Sequence, residues 1–124
     1  MNDAYCWPLR VATDYAGDRI SISEGSIQHI KEHHPDDSSE VNVDRVEQVL
    51  VNPAGGVYRN HPDHKHPERL NYYSAPVDTE YGKTYTQLVV DKVVDPAKVI
   101  SGWSTDSIGN HGECIYIGTT EEER

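Results

Sequence analysis

The segment Ser26-Ile27-Gln28-His29-Ile30-Lys31-Glu32-His33-His34-Pro35 sets two histidines four residues apart, with a third beside them. On a helix His29 and His33 project from one face, and His34 lies about 100° round from His33. Imidazole titrates near neutrality, so a helix presenting several of them can transfer protons or bind a metal. The helix dipole favours the protonated ring at the C-terminal end, which separates His33 and His34 from His29 as acid from base. The plain structural reading is a surface helix with its histidines in water.

A second cluster is His61-Pro62-Asp63-His64-Lys65-His66-Pro67-Glu68. Neutral imidazole and carboxylate are usual zinc ligands, but the spacing matches no common zinc pattern. A mobile polar loop accounts for it better. If functional, it is a substrate-contacting loop with Lys65 and Arg69.

A third set is scattered along the β-rich half. Arg59 and Arg69 are cations there, Tyr72 and Tyr73 are adjacent and so face opposite sides of a strand, and Ser101 alternates with Trp103 on one face. An arginine that grips phosphate, a histidine or tyrosine that moves a proton and a hydroxyl that positions an oxygen together support RNA cleavage. A base takes the ribose 2′-hydroxyl proton, the oxygen attacks phosphorus, and an acid protonates the leaving oxygen. That chemistry requires no metal or other cofactor. Each residue taken singly also has a structural reading, as packing or as part of a strand ladder.

The elements that must position these residues follow from apolar spacing. Arg19 to Ser23 alternates apolar and polar residues and predicts a strand. Ser23 or Ser26 can cap the helix that follows, Ile27 and Ile30 form its apolar edge, and Pro35 disfavours helical geometry at His34. Asn42 caps a second helix carrying Val43, Val46, Val49 and Leu50, which Asn52-Pro53 and Gly55-Gly56 end. Strands are then expected at 56–59, 70–74, 84–90, 99–103 and 114–117, with turns around Asp78 to Gly82, at Asp95-Pro96 and over Gly109 to Gly112. This order predicts an α+β domain with two N-terminal helices on one face of a four- to five-stranded antiparallel sheet.

Composition sets outer bounds. The 124 residues suffice for a single domain, with a core over about 19–118 and an acidic tail at 119–124. No apolar run approaches the roughly 20 residues of a membrane span, and the first residues lack signal-peptide features, so a cytoplasmic protein is expected. Cys6 and Cys114 lie at opposite ends without CxxC spacing, which favours reduced thiols. The formal charge of −10 excludes indiscriminate coating of nucleic acid, although a local cationic groove remains compatible with it.

Taken in order, Arg19 to Ser23, His29-Ile30-Lys31-Glu32-His33-His34-Pro35, the helix ending in Asn52-Pro53, Arg69 to Tyr73 and Val99-Ile100-Ser101-Gly102-Trp103 resemble the barnase/EndoU/colicin/RelE-like nucleases, closest to their phage- and mobile-element-encoded branch. The resemblance spans roughly Ile20 to Trp103 and rests on short motifs. It implies a metal-independent, toxin-like ribonuclease with two helices on a four- or five-stranded antiparallel sheet. By position it implies His29, with His33 second, as the helical histidine, Arg69 as the basic residue, Tyr72 or Tyr73 as the strand aromatic and Ser101 as the late hydroxyl. The doubled His33-His34 and the Gly102-Trp103 step depart from the family pattern. The site expected on both grounds is His29, His33, Arg69, Tyr73 and Ser101, with Lys65, Arg59, Tyr72 and Trp103 on the substrate. RNA is the expected substrate, and a cognate inhibitor, immunity or antitoxin protein is the partner the resemblance implies. A toxin of this kind could also be delivered to a target cell. An acidic, non-enzymatic protein-binding domain and a histidine-based metal-binding domain are the alternatives.

Overall fold

A computed structural model describes residues 8–33, 42–79, 82–94 and 96–118. The order is β1 (Pro8–Thr13), β2 (Arg19–Ser23), α1 (Glu24–His33), α2 (Val43–Val51), β3 (Gly56–Arg59), β4 (Leu70–Tyr73), β5 (Val77–Thr79), β6 (Gly82–Asp91), β7 (Lys98–Thr105) and β8 (Cys114–Tyr116). Across the sheet the strands run β1-β2-β7-β6-β4-β3-β8, and β5 pairs with β6 off that path.

The expected sheet of four to five antiparallel strands behind two N-terminal helices is corrected by this arrangement. Among the described residues eight strands form a sheet that is mixed, because β2 runs parallel to β7 through the Ser21–Lys98 register. Two strands also precede the helices. β1 is cryptic in the sequence because its outward residues are the apolar ones. Leu9 and Val11 are 54% and 42% exposed, while Ala12 is buried and Arg10 reaches Asp44 and Glu47 of α2. β5 lies where Asp78 and Gly82 suggested only a turn.

Both helices start as their capping residues dictate. The Ser23 hydroxyl accepts from the Ser26 amide at 3.0 Å, and the Asn42 side chain accepts from the Arg45 amide at 3.0 Å. Their apolar stripes, Ile27 and Ile30 of α1 and Val46, Val49 and Leu50 of α2, join Ile20, Ile22, Tyr72, Leu88, Val90 and Val99 in one core. Gly102 lets α1 approach β7 closely, since a Cβ there would lie 2.8 Å from Leu88 and 3.5 Å from Ile30.

Strand register fixes what lies on the face away from the helices. Tyr73, Gln87 and Trp103 form one row across β4, β6 and β7, and Asn71, Val89 and Ser101 form the next. Gly102 and Leu88 point to the helices, so alternation turns Ser101, Trp103 and Gln87 the other way. The Gln87 amide donates to Asn71 at 3.0 Å, and Asn71 donates to Asn60 at 2.7 Å, which links this face to the loop after β3.

Candidate active site

The two tyrosines of β4 take opposite faces, as adjacent strand residues must. Tyr72 enters the helix-side core and donates to the Asp14 carboxylate at 2.6 Å. Tyr73 is fully buried on the other face, where its hydroxyl meets His111 Nε2 at 2.5 Å and accepts from the Gly109 amide at 3.1 Å. The His111 ring also stacks on Tyr58, with centroids 5.8 Å apart and planes 28° off parallel.

His111 belongs to the segment between β7 and β8, and that segment is held against the end of β3. The Arg59 amide donates to Glu113 at 2.7 Å and the Gly112 amide donates back to Arg59 at 3.0 Å. Glycine is required at 112 because a Cβ would lie 2.9 Å from the Asn60 carbonyl oxygen and 2.9 Å from His61. A cleft of about 640 Å³ opens between the two segments, lined on one side by Arg59, Asn60, His61 and Pro62 and on the other by Asn110, His111, Gly112 and Glu113.

Burial lowers the pKa of His111, and the nearby His64 adds to the effect. The ring is therefore neutral at pH 7, with Nε2 tied to Tyr73. Nδ1 has no hydrogen-bond partner among the described residues and is not sealed from solvent. Burial raises the pKa of Tyr73, outweighing the Gly109 amide that acts the other way, so its phenol keeps its proton. A neutral imidazole can act as a base through Nδ1 in the tautomer that carries its proton on Nε2 and donates it to Tyr73.

Around the cleft, His61 Nδ1 lies 3.5 Å from the Asp63 carboxylate. Arg59 faces Glu113 at 3.7 Å, an ion pair half-exposed on both sides. The loop behind His61 folds on His64, whose Nδ1 accepts from the His66 amide at 2.9 Å and faces the Asn60 amide nitrogen at 3.3 Å. No group of three or more His, Cys, Asp or Glu placed to hold a metal ion occurs among the described residues.

The residues singled out in the sequence are only partly gathered. Tyr73, Ser101 and Trp103 share the face away from the helices, and Arg59 lines the cleft next to the loop that carries Lys65. Arg69 is spent on Asp91, 3.8 Å away, and its Nε is buried without a hydrogen-bond partner. Tyr72 is sealed in the core on the helix side. His29 is exposed on α1, which packs on β2 and β7, whereas the cleft sits by β3 and β8. Three strand spacings, about 14 Å, and the thickness of the sheet separate α1 from the cleft. The His33 side chain and all of His34 lie outside the described residues.

His111 was not singled out in the sequence. It is a lone histidine between Gly109 and Gly112, a context that reads as a turn, and only the pairing of β3 with β8 brings it to Tyr73. Compared with protein-family models, curated proteins and solved structures, the chain matches none of them.

Proposed function

We propose that the protein is a metal-independent ribonuclease whose chemistry is done in the His111 cleft. The observation that carries this reading is a His111 whose pKa burial lowers, anchored to Tyr73 through Nε2 and lining one cleft with a second histidine and an arginine. The resemblance to the barnase/EndoU/colicin/RelE-like nucleases implies the same reaction but puts it on His29 and Arg69, which lie away from this cleft.

In the productive tautomer Nε2–H donates to the Tyr73 oxygen, which has lone pairs for both this bond and the Gly109 amide. Nδ1 then takes the ribose 2′-hydroxyl proton. The 2′-oxygen bonds to phosphorus, the bond from phosphorus to the 5′-oxygen breaks, and His61 protonates the leaving oxygen. The products are a 2′,3′-cyclic phosphate and a 5′-hydroxyl. Arg59 releases the exposed Glu113 carboxylate and grips the phosphate with two parallel hydrogen bonds.

Incubating end-labelled single-stranded RNA with the protein in excess chelator tests this. Cleavage to cyclic-phosphate ends is expected, with loss of cutting when the scissile ribose carries a 2′-methoxy group. An intact RNA pool after incubation with folded protein, in the presence or absence of ribosomes, sinks the proposal.

The charge of −10 favours a second reading, a non-enzymatic domain that docks on a basic protein surface. Salt-sensitive association with a basic partner that is unchanged by His111→Ala, together with uncut RNA, selects it.

A further inference from the structure

Resting on the ribonuclease reading, we infer that the cleft engages only a dinucleotide-sized stretch of single-stranded RNA, one or two phosphates at a time, with no further grip on the rest of a long strand. A volume of about 640 Å³ is that of a small-molecule site. It is walled by two short segments, 59–62 and 110–113.

Charge points the same way. Each further phosphate of a bound strand needs a cation, because release of condensed counterions supplies most of the affinity for a polyanion. Arg59 is the one cation lining the cleft among the described residues, and Lys65 stands in the adjoining loop. Arg69 and Lys92 are committed to Asp91 and to Asp14 with Asp18. The cleft wall also carries Glu113, with Asp63 beside His61, so a further phosphate at the cleft meets carboxylates and no second lining cation among the described residues.

The test compares a mixed dinucleoside monophosphate pool with a single-stranded 20-residue RNA pool, cut by the same protein over a range of salt. Per bond, kcat/KM is expected to agree within tenfold between the two pools. Single-strand binding loses about 0.7 in log–log salt slope for each phosphate, so the slope for the long pool should be shallower than about −2. Arg59→Gln should flatten that slope by about 0.7. Long RNA cut more than tenfold faster per bond, or with a steeper slope than about −2, overturns the inference and leaves the ribonuclease reading standing. If both pools stay intact, the ribonuclease reading falls and this inference falls with it.

Discussion

Tyr72 and Tyr73 are neighbours on β4 and both are fully buried, yet they serve two different polar clusters. On the helix side Tyr72 donates to Asp14 at 2.6 Å, and Lys92 closes on Asp14 and Asp18 at 2.8 Å each. The Asp14 side chain is 0% exposed, its second oxygen accepts from the Ala16 and Asp18 amides, and Lys92 lies 5.5 Å above the Tyr15 ring. Every strong hydrogen-bonding group there has a partner, so the cluster locks the turn between β1 and β2 to the sheet. On the opposite face Tyr73 holds one nitrogen of His111, and the other has no hydrogen-bond partner among the described residues. A saturated network stabilises, and an unsaturated one at a cleft can act on something else.

The sharpest way to break the comparison is to remove one member from each cluster. His111→Ala should lower RNA cleavage about 10²- to 10⁴-fold, the usual contribution of a positioned proton-transfer group, with thermal stability little changed. Cleavage rate and melting temperature measured on one sample decide it. Asp14→Ala should act in the reverse sense. It leaves the Tyr72 hydroxyl unpaired in the core and Lys92 on Asp18 alone, and should cost about 2 kcal/mol by denaturant titration, while the folded fraction still cuts RNA. Tyr72→Phe removes one charge-assisted hydrogen bond and should cost about 1.5 kcal/mol, again without effect on the chemistry.

Acid separates the clusters further. Burial would raise the Asp14 carboxyl, but Lys92, Tyr72 and the Asp18 amide outweigh it and hold the pKa below its ordinary 3.8. The unfolded chain therefore binds the proton first, and Asp14's contribution is present above pH 3.8 and lost as the pH falls through the lowered folded value. His111 is also lowered, from 6.5, so its neutral burial begins to cost stability as the pH falls below 6.5. Urea midpoints followed downward in pH should fall in two stages, and His111→Ala should remove only the earlier. A general base with a lowered pKa also places the acid limb of kcat/KM below the ordinary histidine value of 6.5. A limb above that value assigns the base to another residue.

The smallest expected effect concerns the helix. His29→Ala should leave cleavage within about twofold and stability within about 0.5 kcal/mol, since the residue is exposed on α1. A loss as large as that of His111→Ala would move the chemistry to the helix side of the sheet.

Much of the local structure was legible. Alternation gave β2, capping and apolar spacing gave α1 and α2, and the β-prone stretch Thr84 to Val90 marked β6. Two kinds of element escaped. β1 turns its apolar residues outward, so its pattern carries no core signal, and the parallel pairing of β2 with β7 joins segments far apart in sequence. The site was legible only in part, because Arg59 and Tyr73 could be named from residue type, whereas His111 gains its role from a tyrosine distant along the chain.

The sequence by itself determined which residues could move protons or hold phosphate, and that Tyr72 and Tyr73 would face opposite ways, since strand side chains alternate. It could not choose among seven histidines, whose chemistry is identical in the unfolded chain. Tertiary structure made that choice. The β3–β8 pairing brings His111 against a buried hydroxyl and partly buries its ring, whereas His29 is exposed on α1, on the other side of the sheet. Burial and a fixed partner, which only packing supplies, are what turn an ordinary imidazole into a candidate base.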